Sequence, residues 1–111
     1  MTPNEYQQLA MRTANQTLFP EQQLVNAALG LAGESGEIAD AIKKHLFQGH
    51  PIDRDHLLKE AGDCAWYLAL LATALHCDLS SVLTMNIDKL RARYPDGFDV
   101  ERSINRKKGD V

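Results

Sequence analysis

Apolar residues recur along much of this chain at alternating steps of three and four. One series runs Leu24, Ala28, Leu31, Ser35, Ile38, Ile42, and a second runs Leu57, Ala61, Cys64, Leu68, Leu71, Leu75. That alternation belongs to helices that pack side by side and each bury one stripe. No segment alternates apolar with polar residues over the length of a strand, and no useful internal repeat is present, so the pattern predicts an all-α fold.

The punctuation between the stripes sets the boundaries. Thr2-Pro-Asn-Glu5 has the form of a capping box with proline at the first helical position, which predicts a first helix to about Asn15. Pro20 breaks the chain, and a second helix is expected from about Glu21 to Gln48, where Lys43, Lys44 and His45 suit the negative end of the dipole and Gly49 suits the exit. Asp53 or Asp55 can cap a third helix reaching His76. Residues 78–81 can open a fourth that stops at Tyr94, before Pro95. A turn at Pro95–Phe98 then leaves a short polar tail from about residue 99. With 111 residues, 44% apolar and 24% charged, the chain reads as a single globular domain spanning 1–111 rather than a disordered or fibrous one.

Helix three is apolar on nearly every side, since residues 64–77 carry no Asp, Glu, Lys or Arg. Trp66 and Leu70 lie off its seam and are expected on an exposed apolar patch unless another chain covers them, which points to a homodimer or homotetramer. The alternative is that helix one lies across that face. The longest uncharged apolar run, Cys64–Leu75, is shorter than the roughly 20 residues that span a bilayer, and Met1–Tyr6 lacks the layout of a secretory signal. A cytoplasmic protein without a membrane partner is expected, with Cys64 and Cys77 as reduced, buried thiols.

Against this background the segment Gly33-Glu-Ser-Gly-Glu37 is locally unfavourable. A helical glycine costs about 1 kcal/mol against alanine, and acids at i and i+3 repel by about 0.2–0.5 kcal/mol. Glu34 and Glu37 each precede a seam position by one residue, and Glu60 and Asp63 do the same in helix three. Each pair therefore points one way beside its seam, and two facing helices would gather four carboxylates. Reading forward, neither i+3 nor i+4 from any of them is Lys or Arg. Such acids either reach out to solvent or share a cation; an all-oxygen donor set favours Mg²⁺, with Mn²⁺ as a substitute, over zinc. The glycines suit close approach of a ligand or a neighbouring helix.

The doubled motif Glu34-Ser-Gly-Glu37 and Glu60-Ala-Gly-Asp63, with the blocks GLAGESGEIADAIKK, LLKEAGDCAWYLALLATAL and NIDKLRARYPDGF, resembles the MazG-like, all-α nucleoside triphosphate pyrophosphohydrolases over roughly Leu24 to Phe98. The resemblance departs at Gly33, where some members carry a further acid. It implies a four-helix-bundle-like, oligomeric fold and hydrolysis of (d)NTPs between the α and β phosphates to a nucleoside monophosphate and pyrophosphate, in the manner of nucleotide-pool house-cleaning. Glu34, Glu37, Glu60 and Asp63 would be its metal-binding and catalytic residues. Tyr67, Asn86, Lys89 and Arg93 would contact substrate, although Tyr67 also reads as a core tyrosine and the helix-four residues as a solvated polar face. Trp66 and Phe47 could stack on a base, or be core.

Two other classes compete with this reading. A di-iron carboxylate bundle wants Glu-x-x-His, and no histidine follows Glu34, Glu37 or Glu60 by three. A non-catalytic helical regulatory or interaction module of the same fold would not need all four acids. Lys89–Lys108 holds seven basic and three acidic residues, against five and eleven before it. With net charge −3 and no nucleic-acid motif, this local excess reads as a solvated tail or a polyanion-binding arm, and not as a DNA or RNA binder.

Overall fold

A computed structural model describes residues 1–111 and contains five helices: α1 (Pro3–Met11), α2 (Pro20–Gln48), α3 (Arg54–Ala74), α4 (Leu79–Arg93) and α5 (Val100–Ile104). There is no strand. No single helix is long and apolar enough to cross a membrane. The chain divides into two compact units, Met1–Leu79 and Ser80–Val111.

In the first unit the caps act largely where the sequence puts them. Thr2 Oγ1 accepts from the Glu5 N–H at 3.1 Å while the Glu5 side chain accepts from the Thr2 N–H at 3.2 Å, closing the capping box. Asp53, not Asp55, caps α3 by accepting from the His56 N–H at 3.1 Å. Gly49 leaves α2 at φ 72°, a left-handed conformation that glycine adopts without a Cβ clash. Helix α1 ends four residues short of Asn15, because side chains take over its last carbonyls: the Thr13 hydroxyl donates to Ala10 O at 2.9 Å, and the Gln16 amide donates to Met11 O at 3.3 Å. Helix α3 stops at Ala74, with His76 at φ 56°.

Helices α2 and α3 form an antiparallel hairpin, and α1 packs across the back of α3. The covered stripe of α2 is Leu24, Ala27, Leu31, Glu34, Ile38, Ala41; that of α3 is Leu57, Glu60, Cys64, Tyr67, Leu71, Ala74. Every second member of the expected seam is thus displaced by one residue, and Ala28, Ser35, Ile42, Ala61, Leu68 and Leu75 are left exposed. Both stripes are apolar enough to satisfy a three–four pattern. The one with the smaller residues wins on α2, because Ala27, Gly30 and Ala41 let the backbones approach closely.

Gly30 is the glycine this packing requires. A Cβ there would run into the ring of Tyr67, whereas at Gly33, Gly36 and Gly62 it would meet nothing within 4 Å. Within this chain, therefore, nothing approaches Gly33 or Gly36 closely. Two opposed effects make a measurable contrast. Alanine in place of helical glycine gains about 1 kcal/mol, while overpacking costs about 1–3 kcal/mol. Gly36→Ala is expected to raise Tm and Gly30→Ala to lower it. A Gly30→Ala variant as stable as Gly36→Ala would show that the Tyr67 ring is not held against α2.

The α1–α3 contact corrects the expectation for Trp66 and Leu70. Leu70 is buried, and Ala10, Ala69 and Leu79 form a small core against which Tyr6, Met11 and Trp66 pack. The Trp66 indole N–H donates to Ala10 O at 3.0 Å and to Thr13 Oγ1 at 2.9 Å. Gln7 fixes the other end of α1: its amide donates to Thr73 Oγ1 and Cys77 O, and its carbonyl accepts from the Leu79 N–H at 2.7 Å. Helix one therefore covers that face of α3, so Trp66 and Leu70 no longer argue for a second chain.

In the second unit, Pro95–Gly97 forms a tight turn after α4, and α5 occupies part of what reads in sequence as an irregular polar tail. Asp99 caps α5 by accepting from the Glu101 N–H at 2.9 Å. The Arg93 side chain is 9% exposed, and its guanidinium holds Asp110 through two parallel bonds of 2.8 and 2.7 Å, tying the end of α4 to the last residues.

Candidate metal centre

The shift in seam register has a chemical consequence. Glu34 and Glu60 stand in the α2–α3 seam itself, where the two helices bring them together. Glu34, Glu60 and Asp63 each offer a carboxylate oxygen, and these atoms all lie within 4.8 Å of one another. Glu37 is outside this group: it is exposed and lines a neighbouring cleft with Asp40, Lys44, His50 and His56.

The electrostatics of the group are unfavourable as it stands. The Glu34 carboxyl is pushed above its usual range, first because a proton on it would bridge to Glu60, then by burial and by the charges of Glu60, Asp63 and Glu37. Glu60 is only 13% exposed, and its Oε2 is enclosed with no hydrogen-bond donor. Ionised, Glu34 has no proton to give it. An enclosed carboxylate oxygen with neither a donor nor a counter-ion is costly, and it fits a site that takes a hard cation from outside. The lysines of α2 do not answer this need: Lys43 and Lys44 lie 3.2 and 2.8 Å from Asp40, and those bonds hold Asp40 below the usual carboxylate range.

One polar partner is a residue that forward reading from the acids overlooks. His56 Nε2 lies 3.5 Å from Glu60 Oε1, at the i−4 position. The signal was present, since i and i+4 share a helix face in either direction. Tyr6 comes from α1 and Thr13 from the turn that follows it, and neither had such a signal. The Tyr6 hydroxyl is pushed up by burial and by the charge of Asp63, and Thr13 lines a cavity of about 390 Å³ with Glu34, Asp63, Trp66 and Tyr67.

Tyr67 is thus both packed and placed. Its ring covers Gly30 and meets Trp66 edge-on at 5.0 Å between centroids, and the same residue lines the carboxylate cavity. Trp66 lines that cavity too, whereas Phe47 is 80% exposed and lines none of the cavities described. Asn86, Lys89 and Arg93 lie in the second unit. Asn86 and Lys89 are exposed, and Arg93 is already engaged by Asp110.

Comparison with known proteins bears on the same stretch. The family model of the MazG nucleotide pyrophosphohydrolase domain matches residues 22–98. The Gene 37 protein of Mycobacterium phage L5 is 42% identical over 73 residues, which make up 62% of this chain and 64% of that protein. The chain thus spans a little under two thirds of that relative. No solved structure matches. With all four acids and α4 inside the matched stretch, the chain belongs to the MazG nucleotide pyrophosphohydrolase family.

Proposed function

We propose that this protein hydrolyses nucleoside or deoxynucleoside triphosphates between the α and β phosphates, with Mg²⁺ (or Mn²⁺) held by Glu34, Glu60 and Asp63. The observation that carries this reading is the enclosed, unpartnered Glu60 Oε2 inside a group of three carboxylates, in a chain of the MazG family. The bound cation would neutralise triphosphate charge and lower the pKa of a water molecule. The protein's own residues do the rest. The rigid α2–α3 seam holds the carboxylates in place before substrate arrives, which avoids reorganisation during the reaction. Glu37 is exposed beside the group, which suits it to taking a proton from the attacking water. Tyr67 and Trp66 wall the adjacent cavity; the family resemblance assigns phosphate contact to Asn86, Lys89 and Arg93 of the second unit, and we propose the same role for them here.

Water adds across the α–β anhydride, so one nucleoside monophosphate and one pyrophosphate must appear together. A Mg²⁺-dependent screen of standard and modified NTPs and dNTPs, with products separated by chromatography, tests this. Equal amounts of monophosphate and pyrophosphate are expected. Nucleoside diphosphate with orthophosphate would exclude the reaction, and no hydrolysis of any nucleotide would favour a non-catalytic module.

We further propose that the working form is a homo-oligomer in which two α2–α3 hairpins pack into a four-helix arrangement. The stripe left open by the seam shift supports this. Ala28, Ser35 and Ile42 repeat every seven residues on α2, and Ala61, Leu68 and Leu75 do the same on α3.

A further inference from the structure

The second unit contains a cavity of about 460 Å³ with a strongly basic lining. It is lined by Lys89, Arg93, Arg102, Arg106 and Lys107, with Glu101 and Asp110 as the acidic members. Five cations against two carboxylates is a concentrated positive surface on a chain whose net charge is −3. Five of these residues, Glu101, Arg102, Arg106, Lys107 and Asp110, lie beyond the stretch that the family model matches.

We propose that this cavity is a binding site for a phosphate chain, with Asp110 occupying the position that one of its phosphates would take at Arg93. The inference rests on the hydrolytic reading only for the substrate roles of Lys89 and Arg93; the contribution of the tail is argued from the cavity. Arg93 presents its donor fork to a bidentate oxyanion, and Asp110 fills that fork at 2.7 and 2.8 Å. The same fork accepts two oxygens of a phosphate with equal geometry. Arg106 and Lys89 also act on the Asp110 carboxylate through their charge, so three cationic side chains converge on one oxyanion. Asp110 and Glu101, with Asp99 3.8 Å from Arg102, leave part of that charge unanswered, and like charges are held together only at a cost. A multiply charged chain of phosphates answers it, and the cavity volume falls within the range of ordinary ligand pockets. Asp110 is then an internal competitor that an incoming phosphate must displace or bind beside.

The test is calorimetric titration of the full chain with inorganic tripolyphosphate in EDTA, where the carboxylate group at the α2–α3 seam repels polyanions and reports nothing. Saturable binding is expected. Arg106→Ala combined with Lys107→Ala is expected to weaken it about tenfold, Lys107→Ala alone about two- to fivefold, and Asp110→Asn to tighten it several-fold, because the amide no longer neutralises Arg93. Circular dichroism checks that each variant is folded, and Lys107, being exposed, keeps the test valid if Asp110→Asn is not. A nucleoside triphosphate that binds much more tightly than tripolyphosphate identifies a nucleotide as the source of the phosphates, and equal affinity identifies free polyphosphate. Absence of binding to folded wild type, or unchanged affinity in the Arg106–Lys107 double variant, overturns the proposal. So does binding of a single-stranded oligonucleotide that tripolyphosphate fails to displace. Because no divalent ion is present, these outcomes are independent of whether the protein hydrolyses nucleotides.

Discussion

Glu60→Gln is expected to lower kcat at least about 100-fold and to abolish the stabilisation of the protein by Mg²⁺. Glutamine keeps the volume and can still meet His56, so the α2–α3 seam should survive the change. What is lost is the charge of the most enclosed carboxylate of the group. Removing one preorganised electrostatic contact to a transition state commonly costs about 2.7–4 kcal/mol, which is about 10²–10³ in rate. Thermal unfolding gives a readout separate from catalysis. A cation present at about 100 times its Kd stabilises the native state by about 2.7 kcal/mol, or on the order of 10 °C in a domain of this size. Wild type should show such a shift between EDTA and Mg²⁺, and Glu60→Gln should not. In EDTA the variant should melt no lower than wild type, because the like charge facing Glu34 has gone. A variant that retains the full Mg²⁺ shift would remove Glu60 from the metal centre whatever its activity.

The carboxylate group was legible in sequence because it depends on spacing within helices. Glu34, Glu60 and Asp63 come together through 3.6-residue periodicity on two helices joined by a short loop, and local rules reach that far. The seam register was not legible. Leu24, Leu31 and Leu57 belong to both candidate stripes, and choosing between Ala27–Glu34–Ala41 and Ala28–Ser35–Ile42 requires knowing how closely the backbones approach. Periodicity treats Ala27 and Ala28 alike; Gly30 under the Tyr67 ring does not. Contacts between distant segments were also hidden. The Trp66 indole finds its acceptors 53 and 56 residues earlier, and Gln7 reaches 66 to 72 residues ahead, so the cover that α1 gives α3 left no trace in either helix alone. Arg93 read as a free polar residue on helix four because its partner, Asp110, sits past a turn and a short helix. Those were the places where composition suggested a solvated tail or a polyanion-binding arm, without an internal ion pair.

Leu68→Glu is expected to convert an oligomer at micromolar concentration into single chains that keep their helices. Leu68 and Leu75 are 44% and 59% exposed on α3, and Ile42 is exposed on the same side of α2. At single-chain level a glutamate at 68 would face water and should disturb little. In a two-fold interface the same residue enters twice, and each buried, unpaired carboxylate costs about 3–5 kcal/mol. The substitution should therefore weaken the assembly by more than a thousandfold. The proposed interface is supported by how little the first unit buries. Its enclosed residues are alanines with Leu70 and Leu79, and no large side chain is fully enclosed, while Leu46, Leu58, Leu68 and Leu75 are all exposed. So many exposed leucines on a small unit favour an association face. Heptad spacing on both antiparallel helices means that one hairpin can seat on a second copy of itself without a new pattern. Sedimentation velocity of wild type and Leu68→Glu, with circular dichroism of both, separates the cases. Wild type that sediments as a single chain throughout the micromolar range, or a Leu68→Glu variant that remains assembled, would show that this stripe is not where two chains meet.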